Sequence, residues 1–184
     1  MLLAIDIGNT NIVLGVFEGR MLGPSWRLST ARERTADELG LMVSQLLDRA
    51  GIQTAAIDGV VMASVVPPLT ATMIDMSERY LGTRPLNLEP GVETGMPVLY
   101  DNPAEVGADR IVNGMAAFEQ YGRARQVPLI VLDFGTATTF DAISARGEYL
   151  GGVICPGIQI SADALFQSAA RLPRVEVRKP PQTI

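Results

Sequence analysis

Two short segments of this chain, 127 residues apart, read alike. Ile5-Asp6-Ile7-Gly8-Asn9-Thr10 and Leu132-Asp133-Phe134-Gly135-Thr136-Ala137 each close an apolar strand on Asp, bend through Gly and enter a second strand. Each second strand then reaches a further turn, Glu18-Gly19-Arg20 in one case and Arg146-Gly147-Glu148 in the other. Such self-similarity predicts two related lobes, each opening with a hairpin that carries Asp-x-Gly at its bend.

Between and after the hairpins, strand and helix patterns alternate, which predicts an α/β fold of mixed sheets flanked by helices. Residues 2–7 read as a buried strand paired with 12–17 across Gly8-Asn9. Thr35 and Glu38 form a capping box, and Leu39, Met42, Val43, Leu46, Leu47 and Ala50 follow at helical spacing until Gly51. Residues 59–66 read as a strand. Pro68 then opens a helix with Leu69, Met73, Met76 and Tyr80 on one face, where the methionines read as core rather than as a ligand groove. Periodicity lapses over 88–108, a stretch broken by Pro90, Gly91, Gly95, Pro97, Pro103 and Gly107, and loops of that length in compact domains tend to be functional. A helix bearing Ile111, Met115 and Phe118 follows and ends near Gly122. Strands at 129–132, 138–143 and 149–154 and a helix over 157–171 complete the pattern. The tail from Leu172, with Pro173, Pro180 and Pro181, has no core pattern of its own.

The bends have a definite chemistry. Glycine lets the backbone approach a ligand closely, while successive N–H groups can point at an anion. Asn9, Thr10 and Asn11 on the first hairpin, and Thr136, Thr138 and Thr139 on the second, add side-chain donors. An ordinary turn explains one Asp-x-Gly. Two of them, each after an apolar strand and each rich in Thr or Asn, point to phosphate. The chain has no histidine, which removes imidazole acid/base catalysis, Ser-His-Asp triads and His-ligated zinc. Its one lysine, Lys179, lies near the end, so a Walker A lysine is excluded, and none of the 18 glycines stands in a Gly-x-Gly arrangement. Without lysine, nucleotide charge must be met otherwise, and Asp6 and Asp133 can hold a metal ion between them or on its water shell.

The single cysteine, Cys155, forms no internal disulfide, as suits a reducing compartment, and reads as a small buried side chain rather than a nucleophile. A net charge of −5 with scattered arginines predicts no nucleic-acid partner. No apolar run reaches membrane-spanning length, and the amino terminus lacks the basic flank of a signal peptide, so a cytoplasmic protein without a membrane partner is expected.

Asp6-Ile7-Gly8-Asn9-Thr10-Asn11 and the run from Asp133-Phe134-Gly135-Thr136 to Asp141 resemble the two phosphate motifs of the acetate and sugar kinase, Hsp70 and actin superfamily. With Tyr100-Asp101-Asn102-Pro103, Gly107-Ala108-Asp109-Arg110 and Gly151-Gly152-Val153-Ile154-Cys155-Pro156-Gly157, the whole chain is similar to type III pantothenate kinases. The resemblance implies ribonuclease H-like duplicated lobes, here 1–107 and 108–184 with the second incomplete. It implies transfer of the ATP γ-phosphate to pantothenate, giving 4′-phosphopantothenate, the first step toward coenzyme A. It assigns Asp6, Ile7, Gly8, Asn9, Thr10, Asn11, Ile12, Val13 and Thr136 to ATP with Mg2+, Asp6 reaching the magnesium ion, and Asp133 to a monovalent cation, K+ or NH4+. It assigns Tyr100, Gly107, Ala108, Asp109 and Arg110 to pantothenate, with Asp109 as general base, and it implies a homodimer.

The residues alone leave alternatives open. Asp109 is a base or a favourable partner of a helix dipole, and Arg110 is an anion ligand or a surface ion pair. Tyr100 is a substrate contact or a loop residue covering the core. Another phosphotransferase of the superfamily, or a non-catalytic accessory protein on the same scaffold, is the competing function. Members of the family continue past position 184 with a substrate-contacting Thr and further helices. The resemblance therefore implies that a 184-residue form is less stable and less active, with Ile111, Met115 and Phe118, and Ile158, Leu165 and Phe166, left for a partner subunit to cover.

Overall fold

The computed structural model describes residues 1–89, 92, 94–169 and 177. β1 (Leu2–Ile7), β2 (Asn11–Glu18) and β3 (Met21–Ser29) form an antiparallel meander. β4 (Gly59–Ser64) joins β1 in parallel and β5 (Leu86–Leu88) joins β4, giving the order β3-β2-β1-β4-β5. The crossovers are α1 (Ala36–Arg49) and α2 (Pro67–Met76). After the long loop, α3 (Ala108–Ala117) leads into a second antiparallel meander of β6 (Leu129–Phe134), β7 (Ala137–Ile143) and β8 (Tyr149–Pro156), followed by α4 (Ile158–Ser168). No helix among the described residues is long and apolar enough to cross a membrane.

Strand alternation decides which residues reach the site. Leu3, Ile5 and Ile7 of β1 and Ile12, Leu14 and Val16 of β2 are at most 3% exposed and pack against Leu39, Val43 and Leu47 of α1 and Leu69, Met73 and Met76 of α2. Each such side chain contributes about 1.5–3 kcal/mol on burial. Asp6, between two inward isoleucines, is thereby turned to the opposite face. Met73 and Met76 are fully buried, as expected of core residues. The capping box forms as read: Thr35 N donates to Glu38 Oε2 at 2.7 Å and Glu38 N to Thr35 Oγ1 at 3.3 Å.

The repeat is structural. β1–β2–β3 and β6–β7–β8 are both meanders, and both second turns place glycine in the left-handed region, Gly19 at φ 58° and Gly147 at φ 83°. α2 and α3 each continue through a widened turn, Ser77–Leu81 and Phe118–Gly122, which keeps Phe118 on the inward face. A second core then gathers Met96 and Val106 from the loop, Ile111 and Phe118 from the helix and Ile143 and Tyr149 from the sheet. This corrects one expectation: Ile111 and Phe118 are buried within the chain, so they are not left for a partner. Ile158, Leu165 and Phe166 are exposed as expected. The expected helix over 157–171 ends at Ser168, and its last two positions, with Pro90, Gly91, Leu172, Pro173, Lys179, Pro180 and Pro181, lie outside the described residues.

Candidate active site

Both Asp-x-Gly bends are closed by their own glycine: Gly8 N donates to Asn11 O and Gly135 N to Ala137 O, each at 2.9 Å. The first bend is also pinned from outside. Thr30 donates its hydroxyl to Gly8 O at 2.7 Å and its N–H to Thr10 O at 2.9 Å, while Arg32 Nη2 reaches Asn9 Oδ1 at 3.4 Å. The two bends then meet: Thr10 Oγ1 and Thr136 Oγ1 lie 2.6 Å apart, in an exposed position. Gly157, at the start of α4, donates to Thr136 O at 3.1 Å, and a Cβ there would overlap the carbonyls of Gly135 and Thr136. Two glycine bends and one helix N-terminus thus converge where anions are favoured. Asn9 and Thr10 are exposed at this junction, whereas Ile7 and Ile12 are fully buried and Val13 is half-buried, so the isoleucines offer a ligand only backbone.

Three carboxylates lie close enough to act on one another. Asp6 rises from β1, Asp109 from the first turn of α3 and Asp133 from β6, and Asn113, one turn along α3, donates to Asp133 Oδ2 at 3.3 Å. The Asp6 carboxyl is pushed above its ordinary value by desolvation, then by the charges of Asp109 and Asp133, with Arg27 opposing. Asp109 is also raised, by desolvation first and by Asp133, against the Arg110 N–H that donates to its Oδ1 at 2.8 Å. That oxygen folds back so closely over Gly107 that a Cβ there would collide with it. Asp109 therefore does serve the helix terminus, and its raised pKa also makes it a better proton acceptor. Among the described residues, no three His, Cys, Asp or Glu side chains form a ready-made metal cage.

Arg110 is not a surface ion pair. Its side chain is 13% exposed and its Nε donates at 2.7 Å to Asp141 Oδ1, whose carboxylate is 1% exposed. Tyr100 lies on the loop, 41% exposed and against β8 at Gly151. Sequence reasoning gave no role to Asp141, which closes the second motif, and none to Asn113 or Thr30. The signal available for Asp141 was an acid on the inward face of a strand, two positions from Thr139 and from Ile143.

The sequence model of the type III pantothenate kinases matches residues 2–184. The chain belongs to that family. Over its whole length it is 59% identical to the type III pantothenate kinase of Myxococcus xanthus, of which it covers 70%, and 59% identical to that of Moorella thermoacetica, of which it covers 71%. The Aquifex aeolicus Ppx/GppA phosphatase superposes with a TM-score of 0.55 at 13% identity, covering 95% of this chain and 57% of the phosphatase. That likeness is one of fold, and the fold is that of the actin, Hsp70 and sugar kinase superfamily. In this pantothenate kinase family member, the two bends meet at Thr10 and Thr136, and the charges of Asp109 and Asp133 both act on Asp6.

Proposed function

We infer that this chain transfers the γ-phosphate of ATP to the primary hydroxyl of pantothenate, giving 4′-phosphopantothenate at the entry to coenzyme A synthesis. The contact of Thr10 with Thr136 carries the reading, because it brings the two Asp-x-Gly bends together, and the raised basicity of Asp109 supports it. Phosphoryl transfer needs little covalent help from a protein, which mainly positions groups and stabilises charge. Asp6 to Val13 and Thr136 hold ATP, chiefly through backbone N–H groups and the Thr and Asn side chains. Asp109 accepts the hydroxyl proton as the bond to phosphorus forms. Tyr100, Gly107, Ala108 and Arg110 line the acceptor side. The donors in the cleft are hard oxygens, which fit Mg2+ and K+ or NH4+. Asp6 would hold the magnesium ion through water and Asp133 the monovalent cation, and together these ions would supply the positive charge that a lysine would otherwise bring. In this reading the protein is a cytoplasmic homodimer, each chain of two lobes, 1–107 and 108–184.

A panel of acceptors incubated with ATP, Mg2+ and K+ tests the reading. Pantothenate should be phosphorylated at its primary hydroxyl in preference to other alcohols and to acetate. Preference for another acceptor, or ATP hydrolysis alone, would overturn it.

A further inference from the structure

Behind Arg110 lies a buried polar cluster that the reaction itself does not require. Asp141, on the inward face of β7, accepts hydrogen bonds from Arg110 Nε at 2.7 Å, from the Tyr149 hydroxyl at 2.7 Å and from Thr139 Oγ1 at 3.3 Å. Tyr149 is fully buried, and its phenol is pushed strongly up by desolvation and by this carboxylate, so it remains a donor. The same residue fastens the acceptor loop through its backbone. Tyr149 N donates to Pro97 O and Leu99 N to Tyr149 O, both at 2.8 Å, one residue before Tyr100. Two glycines of β8 make room for the assembly. A Cβ on Gly151 would touch the Tyr100 ring at 3.4 Å, and a Cβ on Gly152 would overlap Arg110 Nη2 and lie 2.8 Å from Asp141 Oδ1.

One nitrogen of the guanidinium is left over. Arg110 Nη2 lies 2.6 Å from Asp141 Oδ1 as an ion pair, yet its buried N–H groups have no well-directed acceptor among the described residues. A buried donor without an acceptor is costly, and a guanidinium held along one edge by a carboxylate can receive a second carboxylate along another. We propose that Asp141, buttressed by Tyr149, is a positioning residue that fixes Arg110 so that its unused N–H groups meet the carboxylate of the acceptor. This rests on the reading of pantothenate as the acceptor. The Arg110–Asp141 pair is neutral as a unit, so recognition of the acid depends on direction rather than on net charge. That yields an unusual sign. Asp141→Asn leaves Arg110 with an uncompensated positive charge, which would tighten anion binding if charge were what mattered, but it releases the guanidinium, which weakens binding if orientation is what matters.

The test measures KM and kcat for pantothenate, for its neutral primary amide and for ATP in the full chain and in Asp141→Asn, Tyr149→Phe, Arg110→Gln and the Asp141→Asn/Arg110→Gln double variant. Asp141→Asn should raise the pantothenate KM about tenfold or more while the amide and ATP values move less than about threefold. Tyr149→Phe keeps the buried ring, which guards against a variant that fails to fold, and should show the same acid-specific effect at smaller size. The double variant should be no worse than Arg110→Gln alone. An unchanged or lowered pantothenate KM in Asp141→Asn and Tyr149→Phe, equal losses toward acid, amide and ATP, or additive losses in the double variant would each overturn the proposal. A parent protein that does not phosphorylate pantothenate would sink the underlying reading, and the proposal with it.

Discussion

Asp109, the proposed base, opposes the stability of its own fold at neutral pH. Its pKa is raised by desolvation and by the neighbouring Asp133 charge, so the folded state binds its proton more tightly than the unfolded chain does. A carboxyl of this kind costs no stability at low pH. The cost develops as pH rises from the ordinary value of 3.8 through the raised one, and it persists at neutral pH. Asp109→Asn keeps an oxygen for the Arg110 N–H and removes the charge. We predict that its melting temperature at pH 7 equals or exceeds that of the parent, as read by calorimetry, and a clear drop would contradict this account of the site. The acid limb of kcat against pH should lie above 3.8 in the parent, because the base must be ionised to act. Asp6 and Asp133 make separable predictions. Asp6→Ala should weaken ATP binding severely in the presence of Mg2+, whereas Asp133→Ala should abolish stimulation of turnover by K+ or NH4+. Tight ATP binding in excess chelator would count against the first, and an intact K+ response against the second.

Gly157 couples the second bend to α4, since its N–H bonds Thr136 O and no side chain fits beneath it. Gly157→Ala should therefore push the helix away from the bend and raise the KM for ATP about tenfold or more, with the pantothenate KM little changed; equal effects on both would show that the contact is only structural. The elements legible in the sequence were those whose own residues state their period or their ends, such as β1 with its alternating apolar residues and α1 with its capping box. β3 was not among them. It is an edge strand whose first five residues are exposed and include Gly23 and Pro24, so neither alternation nor propensity marks it, although Thr30 just beyond it pins the first bend. β5 is only three residues long, with Leu86 exposed. Of the proposed site, Asp6 and Asp133 were named because the motif repeats, and Asp109 because the family resemblance singled it out. Asp141 was not, because its meaning comes from Arg110, 31 residues earlier in the chain and brought to it only by packing of α3 on β7.

At the level of the whole molecule, the second meander has two unlike faces. Leu129 and Val131 of β6 pack inward, while Ile130, Leu132 and Phe134, with Phe140 and Val153 across the sheet, form an exposed apolar face; Phe134 is 67% exposed and Ile130 64%. Contiguous apolar surface of this kind tends to be covered. We predict that the 184-residue form buries it in a homodimer, so light scattering of that form across a dilution series should report twice the chain mass, and Ile130→Glu with Val153→Glu should give monomer. A monomer at all concentrations in the parent would contradict this. In the proposed reaction, two repeated bends close on one ATP and deliver its terminal phosphate to an alcohol beside Asp109. The decisive assay is the turnover of pantothenate by Asp109→Asn, with ATP affinity measured on the same sample. The account predicts nearly unchanged ATP binding with turnover lower by about two to four powers of ten, and comparable turnover in variant and parent would contradict it.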